Sequence, residues 1–264
     1  IKVSSGSVSS PNFPILLERL DAKIKFVFKK GTSPISGQTI SRFEPREWRV
    51  INVPRTAYAI KNAEDHGVVP VSVQPSAYPS YAKKFFDTDP ENFETTVYDK
   101  AKDEESYEFA FYMLENRQPF KKEPATYNER SRQIKTIDGM NEKISVEYYV
   151  DGTYYSKEMK LFENANDFST YVVVTGYVEM NLANDDAGQI LGGEVEYLIH
   201  LGEWNAGNSN FKTERNTSYT YTVTVNSVNN IRVEVESSKP GNTFQEPQPG
   251  ATGSVIIAKE EIAI

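Results

Sequence analysis

Tyr219, Tyr221, Val223 and Val225 fall on one parity of "SYTYTVTVN", and Thr220, Thr222, Thr224 and Asn226 on the other. A period of two marks a strand with one face in a core and one in water. The same pattern predicts strands over residues 22–28, 48–53, 108–114, 144–150, 170–178, 194–201, 218–225, 231–236 and 254–259. Turn dipeptides punctuate them: Lys30-Gly31, Asp151-Gly152, Asn229-Asn230, Pro240-Gly241 and Pro249-Gly250. "TYVVVTGYVEM" is almost continuously apolar and suits a central strand.

Two runs flank Asp151-Gly152 in "EKISVEYYVDGTYYSKEMKLF". Asp-Gly suits a two-residue turn with positive φ, so a hairpin is expected there. "SYTYTVTV…IRVEVE" reads as a second hairpin, with Arg232, Glu234 and Glu236 facing solvent. Helical signal is scarce. Its best site is residues 89–105, where Asp89 is a cap, Pro90 suits the first turn, and Glu91 and Glu94 favour the positive dipole end. Residues 117–141 are polar and weakly patterned, as domain boundaries are. The expected organisation is an amino-terminal β-sandwich over 1–122, a linker over 123–143 and a carboxy-terminal β-sandwich over 144–264.

The 264 residues fit one large or two medium domains at roughly 100–200 residues each. Hydrophobic residues make up only 38%, but 16 tyrosines and 14 phenylalanines can build cores with little Leu or Ile. The net charge is −8, so phosphate neutralisation by Lys and Arg, and with it nucleic-acid binding, is not expected. There is no cysteine, which excludes disulfides, thiolate metal sites and a cysteine nucleophile. No apolar run reaches the roughly 20 residues of a membrane-spanning helix. The chain begins at Ile1 rather than Met, as a processed or trimmed amino terminus would.

Catalytic patterns do not emerge. There are two histidines, His66 and His200, and no phosphate loop, HExxH or GxSxG. His200 lies within a strand pattern and reads as a hydrogen-bonded strand residue rather than a general base. Adjacent acids such as Asp185-Asp186 point to opposite faces of a strand and do not form the paired carboxylates of a glycosidase. "NLANDDAG" fails the spacing of a helix-loop-helix calcium site. No catalytic residue, metal site or cofactor is expected. Tyr78 and Tyr81, in "SVQPSAYPSYAKKFF", form a candidate ligand loop that could stack on a sugar or a protein; the alternative is a loop pinned to the sheet by its aromatics.

Four ordered stretches carry a family resemblance: "LLERLDAKIKFVF", "FAFYMLENRQPF", "STYVVVTGYVEM" and "FKTERNTSYTYTVTVNSVNNIRVEVE" with "QPGATGSVIIAKEEI". Tyr112, Glu115, Asn116, Arg215, Asn216 and Tyr219 match best. In these the chain resembles the fimbrillins of Bacteroidales, subunits of surface pili. The resemblance implies an all-β fold of two transthyretin-like β-sandwich domains in tandem. It implies export to the cell surface and outer membrane through a lipoprotein precursor, whose lipid anchor is absent from this chain, and assembly with other fimbrial subunits by donor-strand exchange. Only fourteen residues precede Ile15, so the family's upstream strand is expected to be missing, and Arg19 does not match its cutting site. Val255 and Ile257, on one parity of "SVIIA", are the candidate edge or donor strand. Three functions follow: a structural and adhesive fimbrial subunit, a non-polymerising module that binds a host or bacterial surface glycan or protein, and an enzyme whose convergent carboxylates the sequence does not reveal.

Overall fold

The computed structural model describes residues 19–33, 38–58, 68–93, 96–99, 104–182, 190–205 and 208–239. Its first strands are β1 (Asp21–Lys30), β2 (Gln38–Ile51), β3 (Val53–Pro54), β4 (Phe85–Phe86), β5 (Glu91–Asn92), β6 (Thr96–Asp99) and β7 (Glu104–Leu114). They are followed by β8 (Lys143–Val150), β9 (Thr153–Lys160), β10 (Tyr171–Leu182), β11 (Ile190–His200), β12 (Trp204–Asn205), β13 (Asn208–Ser209), β14 (Ser218–Ser227) and β15 (Asn230–Ser238). The one α-helix among the described residues is short, α1 (Tyr78–Ala82). The protein is all-β, as the alternation predicts.

A five-stranded sheet has the order β15-β14-β1-β7-β6, and a four-stranded sheet has the order β11-β10-β2-β5. β1 runs parallel to β14, from Lys23 opposite Ser218 to Lys30 opposite Val225, and antiparallel to β7. Both sheets therefore mix strands from either side of residues 123–143. The expected division of the chain there is corrected. The apolar faces of β1 and β14 complete one core together, and the segment between them cannot separate two sandwiches. Nor is that segment a solvated linker: Arg130 within it is fully buried.

The core sits between the two sheets. Ala22, Ile24, Phe26 and Phe28 on β1 are completely buried, beside Tyr219, Tyr221, Val223 and Val225 on β14. Trp48, Val50, Val172, Val174 and Ile199 face them from the other sheet. Phe26 stacks on Phe109 at 5.0 Å and on Tyr221 at 4.7 Å, and Trp48 stacks on Phe109 at 4.2 Å. Burial of each such side chain contributes about 1.5–3 kcal/mol. The opposite parity of β1, Lys23, Lys25 and Lys29, lies on the sheet's outer face, where Lys25 pairs with Glu108 at 2.7 Å.

Two local expectations need correction. The described residues of 89–105 hold no helix: β5, β6 and the start of β7 lie there. Val97 pairs with Ser106 and Tyr98 with Glu105, so strand pairing overrides weak capping signals. β2 begins at Gln38, ten residues before the expected strand. Within β2, Pro45 sits at a register shift opposite Gly176 on β10. A bulge tolerates the proline's missing N–H. Gly176 is required there, because a Cβ would lie 2.5 Å from the Glu44 carbonyl oxygen.

The hairpin forms as expected: β8 pairs with β9, and Asp151 and Gly152 turn with φ of 48° and 80°. Its inner face, with Val146, Tyr148 and Met159, packs with α1 residues Tyr78 and Ala82 and with Phe168 in a second apolar cluster. Residues 254–259, expected as a strand, lie outside the described residues, as does the acidic stretch 183–189.

Candidate functional site

Tyr78 opens α1 and Pro79 follows it, the position where a missing N–H costs nothing. The Tyr78 ring meets Phe168 edge-on at 5.5 Å, and its hydroxyl donates to Asp167 Oδ2 at 2.8 Å. The side chain is buried, and burial, with Asp167 adding, raises its pKa. Tyr81 is half-buried, 5.9 Å from Phe168, with Lys84 Nζ 5.2 Å over its ring. The structure thus brings the two tyrosines together against Phe168 and directs them inward. Val255 and Ile257 lie outside the described residues.

Asp167 is also a hub. Its Oδ1 accepts from Lys121 Nζ at 2.6 Å and from the Phe162 amide at 3.1 Å. Asn116 donates to Phe168 O and Thr170 Oγ1, and Asn52 donates to Asp167 O and Ser169 O. These side chains satisfy the irregular backbone of residues 162–170, where no sheet ladder could.

His200 is completely buried at the end of β11. Its Nδ1 lies 2.9 Å from Ser131 Oγ, and Phe162 meets its ring edge-on at 4.5 Å. Burial, then the charges of Arg130 and Lys121, hold its pKa well below the usual 6.5. A neutral imidazole sealed from solvent beside one serine cannot meet a substrate. The strand-histidine reading accounts for it.

The cavity with the most chemistry is one the sequence reading missed. It encloses about 530 Å³ between the hairpin β8–β9 and the four-stranded sheet. β2 contributes Arg49, β9 contributes Tyr155, Lys157 and Lys160, β8 contributes Tyr148, and the segment around β3 and β4 contributes Arg55, Phe86 and Asp87. Tyr148 and Tyr155, opposite each other in the register, stack at 5.4 Å. The Arg55 guanidinium lies 5.4 Å over Phe86 and 5.7 Å over Tyr155, and its Nε donates to Phe85 O at 3.2 Å. Lys157, buried, donates to Asn52 Oδ1 and Asp87 Oδ1, both at 2.7 Å. Burial pulls its pKa down, against the pull of Asp87. Lys160 pairs with Glu196, and Glu158 with Lys143. Among the described residues Arg49 and Arg55 have no carboxylate partner. No sequence motif marks this site, since its residues are scattered from 49 to 173.

A second cavity of about 420 Å³ runs along β15, lined by Tyr127, Trp204, Ile231, Val233 and Val235. β15 is an edge strand, paired with β14 on one side and with no strand on the other among the described residues. Tyr127 and Trp204 meet edge-to-face at 5.8 Å on the groove wall.

No family model matches the chain, and no curated protein does. Solved structures do. The tip fimbrial protein Mfa3 from Porphyromonas gingivalis matches with 11% identity and a TM-score of 0.34, over 84% of this chain and 52% of that one. Two Parabacteroides distasonis proteins described as cell adhesion proteins match with 14% and 13% identity and TM-scores of 0.37 and 0.38. They cover 86% and 83% of this chain, and 55% and 58% of their own. The chain thus spans a little over half the length of the structures it matches.

Proposed function

We propose that the chain is a structural and adhesive subunit of a bacterial surface fimbria, exported through a lipoprotein precursor and joined to other subunits by donor-strand exchange. The observation that carries this reading is the edge of β15. Its backbone has no strand partner on one side among the described residues, and beside it lies a groove whose apolar lining, with Tyr127, Trp204 and Val233, is flanked by polar residues such as Asn128 and Glu234. An unpaired edge is a template for a strand from another chain, and pockets alongside it give the added strand specificity. The ordered sequence resemblance to fimbrillins points the same way. A segment such as "SVIIA", with Val255 and Ile257 on one parity, has the length and alternation to fill the groove.

The test uses a longer precursor that contains this chain. After cutting by an arginine-specific protease, the product is run unboiled on a denaturing gel. A ladder of subunit multiples is expected, and Ile257→Asp should abolish it. A single monomer band after confirmed cutting overturns strand exchange. That result would favour the second reading, a non-polymerising surface module that binds glycan or protein, for which the cationic aromatic cavity is the supporting observation.

A further inference from the structure

We infer that the cavity between β8–β9 and the four-stranded sheet is a binding site for a carboxylated sugar residue of an acidic glycan; this rests on the surface-adhesive reading. The chain carries a net charge of −8, yet the lining of this cavity holds four cationic side chains, Arg49, Arg55, Lys157 and Lys160, to two carboxylates, Asp87 and Glu158. Arg49 and Arg55 have no carboxylate partner among the described residues, and a guanidinium is the side chain suited to fork onto a carboxylate. Arg55 is held ready by its place over Phe86 and Tyr155 and by its bond to Phe85 O. Fixing a donor before the ligand arrives removes part of the ordering cost of binding.

The rest of the wall selects a sugar over a simple anion. Tyr148 and Tyr155 offer apolar surface and hydroxyls in one place. Asp87, Ser156 and Glu158 also line the cavity. Each carboxylate is already paired with a lysine through one oxygen, Asp87 with Lys157 and Glu158 with Lys143, and has a second oxygen that can accept from a sugar hydroxyl. Cations for one carboxylate and acceptors for several hydroxyls together describe a uronic or sialic acid. The volume, about 530 Å³, falls within the usual 300–1,000 Å³ of ligand sites.

Calorimetry on the monomeric chain tests this with sialyllactose and trigalacturonate against lactose and methyl-esterified trigalacturonate, which keep sugar rings but lose the charge. At least one acid is expected to bind at least tenfold more tightly than its neutral counterpart, without competition from inorganic phosphate or sulfate at equal concentration. Arg49→Gln, an exposed position, should weaken binding at least fivefold with an unchanged melting temperature, and Arg55→Gln should do so more strongly. The inference is overturned if neither acid binds, if neutral forms bind equally well, if phosphate or sulfate displaces the sugar, or if Arg49→Gln leaves affinity unchanged. Binding is read on the monomer and assembly on the gel, so each can fail without the other.

Discussion

The Tyr221 hydroxyl donates to the Gly202 carbonyl and accepts from the Gly202 amide, both at 2.8 Å. One phenol on β14 thus satisfies both backbone groups of the residue where the chain leaves β11. Gly202 has φ of +112°, and a Cβ there would lie 2.3 Å from the Asn210 carbonyl oxygen. A tight turn, a glycine and a buried tyrosine form one unit joining the two sheets.

Tyr221→Phe keeps the ring stacked on Phe26 but strands a buried N–H and a buried C=O. Leaving such groups unpaired costs about 1–3 kcal/mol. Urea titration should show a lower midpoint with an unchanged slope. An unchanged midpoint would mean that water replaces the hydroxyl.

Val223 and Thr222 are neighbours on opposite faces of β14. Val223 is completely buried, and Thr222 lies on the outer face between Val27 and Glu234. Val223→Asp buries a charge with no partner, and the cooperative melting transition should disappear. Thr222→Asp should leave the transition within a few degrees of the parent. Equal melting of the two variants would refute the register.

These two residues also mark what the sequence could disclose. Alternation fixed β14, β1 and the hairpin β8–β9, because one buried face imposes a period of two over many residues. The pairing of β1 with β14 was not legible. It joins segments almost two hundred residues apart, and nothing local encodes which strands become neighbours. That is why an interleaved arrangement looked like two tandem halves. β5 and β6 resembled a helix start because Asp89, Pro90 and Glu91 serve a turn as well as a cap. Of the candidate residues, Tyr78 was visible as an aromatic in a Pro-rich segment, but its partner Asp167 lies 89 residues away. The cavity with Arg49 and Arg55 exists only after the hairpin folds onto the sheet.

His200 gives the fold a pH dependence of known sign. Its folded pKa lies well below 6.5, chiefly through burial. Between that value and 6.5 the unfolded chain binds a proton that the folded chain does not. Stability is therefore fully present above about pH 6.5 and falls as the pH drops, by up to about 1.4 kcal/mol per pH unit from this group. Unfolding free energies of the parent and His200→Gln, each measured at pH 7.5 and pH 5.5, should show a smaller fall in the variant. Equal falls would show that His200 is not the group responsible.

Arg130 is the residue whose burial the composition hides most completely. In a stretch rich in charge, it is fully buried, and it lies 4.2 Å over the Phe211 ring. Its Nη2 donates to Leu201 O and Asn210 O at 2.8 Å each, and its Nη1 reaches Glu203 O at 3.3 Å. The planar fork thus pins the chain that follows β11, with no carboxylate needed among its contacts. Lysine offers one compact ammonium and cannot span these carbonyls while stacking on Phe211. Arg130→Lys should therefore destabilise nearly as much as Arg130→Met, in either case by at least the about 1–3 kcal/mol that one stranded buried group costs. Hydrogen exchange should quicken in residues 201–211 before it does in β1. If Arg130→Lys retains the parent's stability and exchange pattern, the guanidinium's geometry is not what holds this turn.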